Sequence, residues 1–346
     1  MTLKQEIITL NEERNVTLTA MIQSVEGEFS FKERPAVIVM PGGGYSFLSD
    51  REAEVVAYPY LAAGYHAFVL RYSVGEHRAW PNPLNDYEQA YAYIRARAEE
   101  WHVIMDKIAV IGFSAGGHLA ASAATMAENR PNAAILIYAA LDQHISSACQ
   151  PGIEIPAPMD HVDGKTPACF LAASRDDMVV PISNTVHFLD ELDKYGITYE
   201  CHIYPFGNHG FSTGESYLNG ELSSRTPHWV ADSIAFLEDL FGKLTAEGMT
   251  TPACSPKQNA NADETLSVKC TVGYLRQFTG KVPELIPYFE QVDELGDRLF
   301  GDAGASVADQ LCFNVLFGMF GKSEEELQQM EERLRAIPNI TDDAKR

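Results

Sequence analysis

Gly112-Phe113-Ser114-Ala115-Gly116 sets one serine between two glycines. The apolar, strand-like run "KIAVIGF" leads into it, and the small-residue, helix-like run "AGGHLAASAA" leads out. A serine held in a sharp strand-to-helix turn projects its hydroxyl from the carboxyl end of a sheet, where it can act as a nucleophile. Glycine on either side lets strand and helix approach closely, and the N-terminus of the helix points at a developing negative charge. The plain alternative is a serine that merely caps the helix.

A serine hydroxyl needs a base, and the base needs a carboxylate to orient it. "SRDDMVVP" follows the apolar run 168–173 and offers Asp176 and Asp177. "PFGNHGF" follows the run 199–204 and offers His209. Asp177 is preferred because D-x-x-V-P then leads into a helix that begins at Pro181, with Asp176 as the fallback. His209 sits between Asn208 and Gly210 in a loop, where a ring can be oriented. Among its rivals, His202 lies within a strand and His118 on the helix after the serine, where a buried hydrogen-bonding role is expected. His161 and His187 fall in a polar loop and a helix. In "VIVMPGGGYSF" another strand-like run leads into three glycines. A tetrahedral intermediate needs fixed N–H donors around its oxygen, and glycine lets backbone approach with no Cβ in the way. Gly43, Gly44 and Ala115 are the candidate donors. The loop lacks G-x-G-x-x-G and G-K-[ST], which argues against a nucleotide.

The elements that must position these residues alternate. Runs 16–22, 36–40, 66–72, 107–113, 133–138, 168–173 and 199–204 are short, apolar and β-branched, and read as strands. Between and after them, 50–63, 85–100, 115–128, 184–195 and 227–244 read as helices. Such alternation predicts a mostly parallel sheet with helices on both faces. The first of these strands alternates polar with apolar and suits an antiparallel edge. The pattern stops near 245, which makes 1–245 the expected catalytic domain. The stretch 246–264 is small, polar and aperiodic, and reads as a linker. Residues 265–346 change texture and read as a helical accessory region, with Ser323 and Glu326 spaced as a capping box. The run "FNVLFGMFG" within it must be buried somewhere, and homo-oligomerisation through these helices is one expectation.

The bulk numbers agree with a large core and narrow the partners. The chain has 346 residues, of which 46% are hydrophobic and 21% charged. Twenty-six Lys and Arg against 48 Asp and Glu give a net charge of -22, which repels nucleic acid and anionic membranes. Cys149, Cys169, Cys201, Cys254, Cys270 and Cys312 are scattered with no C-x-x-C, so neither a zinc site nor a disulfide framework is expected. The first fifteen residues do not read as a signal peptide and no run is long enough for a membrane helix, so the expected address is the cytoplasm.

Taken together, "VMPGGGY", "LRYS", "WHVIMDKIAVIGFSAGGHLAA", "SRDDMVVP" and "NHGF" resemble the α/β-hydrolase superfamily. The likeness is strongest to the small esterases that include acetyl xylan esterases and bacterial feruloyl-esterase-like proteins, and it covers about residues 15–245. The resemblance implies a serine hydrolase with Ser114 as nucleophile, His209 as base and Asp177 as orienting acid. It implies short acyl esters as substrates, often acetyl groups on sugars, and no metal or other cofactor. Two departures stand out. Pro41 occupies the place of the histidine that lipase-like relatives carry, and the tail 265–346 lies outside the family pattern. A prolyl-oligopeptidase-like peptidase and a non-catalytic binding module are the competing readings.

Overall fold

In a computed structural model, residues 2–28, 30–144, 152, 154–219, 223–301 and 304–339 are described. The chain divides into two compact units, 1–194 with 198–256, and 195–197 with 257–346.

The first unit is an eight-stranded sheet in the order β1-β2-β4-β3-β5-β6-β7-β8. Its strands are β1 (Leu3–Asn11), β2 (Val16–Gln23), β3 (Arg34–Met40), β4 (His66–Arg71), β5 (Val103–Phe113), β6 (Ala133–Ile137), β7 (Ala168–Ser174) and β8 (Tyr199–Tyr204). β1 pairs antiparallel with β2 and β2 with β4, while every other pairing is parallel. β3, β6 and β7 are buried along their whole length, as strands covered on both faces must be, which explains the apolar runs 35–40, 133–137 and 168–173.

Alternation along the strands assigns the two layers. Val37, Val39, Ala109, Ile111 and Phe113 pack with Val56, Ala57 and Tyr60 of α1 (Glu54–Ala62) and with residues 229–241. Gly112 points to the other face, against Gly116 and Ala120 of the helix Ser114–Met126. The helix Asn82–Ala96 lies against that helix in turn.

Two expectations fail at the sheet's first edge. Val16–Gln23 is not the edge strand: Leu3–Asn11, a segment that carried no strand assignment, lies outside it. Leu3–Asn11 is mostly exposed and pairs Lys4 with Glu6 at 3.0 Å, so solvent and charge, rather than burial, shape its sequence. Charged residues on an outer strand also discourage edge-to-edge association.

The second unit is helical, with its own core of Leu266, Val272, Leu275, Leu285, Phe289, Phe313, Leu316, Phe317 and Leu334. Phe313, Leu316 and Phe317 bury most of the apolar run "FNVLFGMFG" within this unit, while Val315 and Met319 are exposed. The helix Glu324–Arg335 begins with a capping box in which Ser323 and Glu326 satisfy each other's backbone N–H. Residues 265–271 are not helical; the helix expected there is confined to Val272–Arg276. Ser267 and Val268 instead bind the Glu331 carboxylate, a side chain to backbone contact that competes with helix formation. The stretch 246–264 is split between the units, with the short hairpin Leu244–Thr245/Gly248–Met249 at its start. Among the described residues no helix is long and apolar enough to cross a membrane. Cys149 lies outside the described residues, and the other five cysteines are free thiols.

Candidate active site

Five strand ends converge on one cleft. Ser114 follows β5, the glycine loop 41–44 follows β3, Tyr138 follows β6, Asp177 follows β7 and His209 follows β8. Register aligns these ends: Met40 sits opposite Gly112, Phe113 opposite Ile137, and Ser174 opposite Tyr204. Ligands of open α/β sheets bind at this edge.

Ser114 adopts φ 52°, a left-handed conformation that costs a non-glycine residue energy and is held by its surroundings. The flanking glycines supply that hold by close packing. A Cβ on Gly112 would lie 2.2 Å from the Gly116 carbonyl oxygen, and one on Gly116 would lie 2.2 Å from that of Met40. Strand, helix and glycine loop therefore touch backbone to backbone around the serine.

His209 stands between the serine and an acid. Its Nδ1 is 2.7 Å from Asp177 Oδ2, and its Nε2 is 2.9 Å from Ser114 Oγ. A carboxylate accepts hydrogen bonds, so Nδ1 carries the proton and Nε2 is left to accept from the serine. The Asp177 side chain is only 1% exposed, and its Oδ1 accepts from the N–H groups of Val179 and Val180, each at 2.8 Å. Asp176 turns elsewhere. Its Oδ1 accepts from the Asn208 N–H at 2.9 Å and from the Ser174 hydroxyl, which pulls its carboxyl below the usual range and pins the loop that carries His209. His202 pairs with Glu200 on β8, and His118 is buried under the glycine loop; neither is brought to Ser114.

The glycine loop is tied down at three points, Pro41, Gly42 and Tyr45. The Tyr72 hydroxyl donates to the Pro41 carbonyl at 2.6 Å, the Gly42 N–H donates to Glu52 Oε2 at 2.8 Å, and Tyr45 Oη meets His118 Nδ1 at 2.6 Å. His118 Nε2 donates to the Pro156 carbonyl at 2.9 Å, so Nδ1 accepts from the tyrosine. Burial drives the His118 ring down to about 4, which keeps it neutral in this role. Gly43 and Gly44 have φ of 134° and 59°, and both line the cleft beside Ser114.

The cleft has a volume of about 770 Å³. Phe47, Leu48, Val179 and Val180 give its lining apolar surface, and Ser46, Ser49, Asp50 and Arg51 polar groups. Among the described Phe, Tyr and Trp residues, Phe47 lines it. Tyr45 and Phe211 are fully buried behind it, and Trp80 packs edge-on against His118.

Glu52 and Tyr138 went unmarked in the sequence. Glu52 is 4% exposed. Burial raises its carboxyl above the usual range, while its hydrogen bonds from Tyr138 and Gly42 work against that rise. One glutamate among Asp50, Glu52 and Glu54 has no local pattern that marks it, because its partners come from other strand ends.

The comparisons agree with this fold. The family model described as BD-FAE matches residues 28–155, and that of the prolyl oligopeptidase family matches residues 153–243. MGS-M1, an alpha/beta hydrolase enzyme from a Medee basin deep-sea metagenome library, is 43% identical. That likeness covers 68% of this chain and 97% of that one, with a TM-score of 0.64. An acetyl ester-xyloside bifunctional hydrolase from Caldicellulosiruptor lactoaceticus is 28% identical over 67% of this chain and 95% of its own, with a TM-score of 0.60. The acetylxylan esterase of Xylanibacter ruminicola is 29% identical over 59% of this chain and 47% of its own length. The chain spans about half the length of the curated relatives it matches.

Proposed function

The chain belongs to the α/β-hydrolase superfamily, and from that premise we propose that it is a serine hydrolase of short-chain carboxylic esters. The observation that carries the reading is the single histidine within hydrogen-bond reach of both Ser114 and Asp177 at the cleft. Ser114 Oγ attacks the acyl carbon as its proton passes to His209 Nε2. The carbonyl oxygen takes up negative charge and receives N–H groups from Gly43, Gly44 and Ala115. Collapse breaks the bond to the alcohol oxygen, which leaves with the proton from His209. Water then attacks the acyl-serine as His209 takes its proton, the bond to Ser114 Oγ breaks, Oγ takes that proton back from His209, and the acid departs. Asp177 holds the ring in the tautomer this requires and stabilises the imidazolium.

Acetylated oligosaccharides are the proposed substrates. Relatives named for acetylxylan and acetyl ester-xyloside hydrolysis support the reading, and a cleft lined by both apolar and polar side chains suits a small acyl group joined to a hydroxylated alcohol. The test is initial rates on p-nitrophenyl esters from acetate to octanoate, for the wild type beside Ser114→Ala. A rate that peaks at acetate or butyrate and falls on the order of a thousandfold or more in the variant is the expected result. Rates that survive the substitution would remove Ser114 as nucleophile.

The match of residues 153–243 to the prolyl oligopeptidase family favours a second reading, an amide-cleaving peptidase. Turnover of aminoacyl-proline amides faster than of esters would select it. Homo-oligomerisation through 265–346 is a separate proposal, read by mass in solution.

A further inference from the structure

We propose that Glu52 is a positioning residue that joins the glycine loop to the histidine loop, so that the oxyanion donors and the base are set around Ser114 by one buried carboxylate. The inference rests on the ester-hydrolase reading of this cleft. Each Glu52 oxygen has its own donor. Oε2 accepts the Gly42 N–H at 2.8 Å, and Oε1 accepts the Tyr138 hydroxyl at 2.7 Å. The Gly42 bond fixes the Pro41-Gly42 peptide, which leads through a single residue into Gly43 and Gly44. The Tyr138 hydroxyl in turn accepts the Ser212 N–H at 2.9 Å, three residues past His209. The Tyr138 ring meets the His209 ring edge to face, with centroids 5.0 Å apart. A chain of contacts thus runs from the glycine loop through Glu52 and Tyr138 to both the ring and the backbone of the base.

The arrangement is costly for stability alone. A buried carboxylate loses its hydration, and an apolar or neutral side chain would fill the space with a smaller penalty. Space at Gly42 shows how tightly the carboxylate is seated: a Cβ there would lie 2.7 Å from Glu52 Oε2 and 3.1 Å from Ser114 Cβ. Gly42 itself spends its N–H on Glu52, which leaves the next residues of the loop to face the substrate oxygen. Tyr138 has φ 37° and Ser212 φ 52°, so both contacts on the histidine side are made by residues in strained backbone. Glutamine at this position could accept from only one of the two donors, because its amide nitrogen would face the other.

The kinetic consequence is specific. Hydrogen bonds to the oxyanion strengthen as the tetrahedral state forms, so donors that drift by a fraction of an ångström lower kcat while substrate binding is kept. With p-nitrophenyl acetate as substrate, Glu52→Gln is expected to lower kcat on the order of 10- to 100-fold and leave KM within about twofold. Ethylboronic acid forms a tetrahedral adduct with the serine, so its inhibition constant should rise by the same factor as kcat/KM falls. Glu52→Asp should recover part of the loss. Tyr138→Phe keeps the ring against His209 and removes only the hydroxyl, and should show a smaller loss with the same signature. It decides the matter if Glu52→Gln does not fold. A kcat and boronate constant unchanged in these variants, or a loss carried by KM, would overturn the inference. Loss of activity in Ser114→Ala beside wild-type rates in Glu52→Gln would do so while leaving the hydrolase reading intact. An active Ser114→Ala would remove the reading itself.

Discussion

Asp176 and Asp177 are neighbours of one chemical type, yet their surroundings give them separate tasks. Asp177 Oδ2 faces the His209 Nδ1–H, whereas Asp176 Oδ1 receives the Asn208 N–H and the Ser174 hydroxyl. Asparagine at 177 would turn its amide toward Nδ1, force the other tautomer, and leave the serine with no acceptor. Asp177→Asn is therefore expected to lower kcat on the order of a thousand- to ten-thousandfold. Asparagine at 176 keeps an oxygen for both donors, so Asp176→Asn should stay within roughly tenfold of wild type by the same accounting. Steady-state kinetics of the two variants with p-nitrophenyl acetate check both, and equal losses would mean that the acid has been misassigned. The sequence favours Asp177 through D-x-x-V-P leading into a helix, and it is Asp177 whose carboxylate lies beside His209. Glu52 was illegible because no such local pattern marks it. What sets it apart from Asp50 and Glu54 is burial between partners ten and 86 residues away.

At the scale of elements, β3, β4, β6 and β7 could be read because burial on two faces leaves few positions for a polar residue. Leu3–Asn11 was missed because an exposed edge strand keeps little of that pattern: Ile7 is 70% exposed there. The helix after Ser114 was legible through its small residues, and the structure explains why they are small. Gly116 lies against the Met40 and Pro41 carbonyls, at 2.2 and 2.4 Å from where a Cβ would be. Gly44 has φ 59° and open space around its Cβ position. Gly116→Ala must push a helix off a strand end, and should destabilise by about 1–3 kcal/mol or more. Gly44→Ala bears only the left-handed backbone cost of about 1 kcal/mol. Thermal or denaturant midpoints measured side by side should rank Gly116→Ala as the more damaging, and the reverse order would show that this helix is not seated by backbone contact.

Across the first unit, two buried histidines sit at opposite ends of the sheet. His66 opens β4, where its Nδ1 accepts the Gln23 N–H at 3.1 Å, and His118 lies beneath the glycine loop at the carboxyl end. Burial lowers both rings from 6.5 to about 4, and the neighbouring Arg34 charge adds to the effect at His66. The sign follows from the unfolded chain. There each ring binds its proton near 6.5, well before the folded ring does, so acid favours unfolding. Stability of this unit is full above pH 6.5 and falls as the pH drops toward 4. By pH 5 the loss is about 2 kcal/mol for each ring. All three tryptophans, Trp80, Trp101 and Trp229, belong to the first unit, so their fluorescence follows its unfolding separately from that of the helical unit. Denaturant titrations read this way should show midpoints that fall between pH 7 and pH 5, and His118→Asn should have a shallower fall. A stability independent of pH over that range would mean that the two rings are protonated in the folded protein. The Tyr45 hydroxyl would then have lost its acceptor on His118, and the glycine loop one of its three anchors.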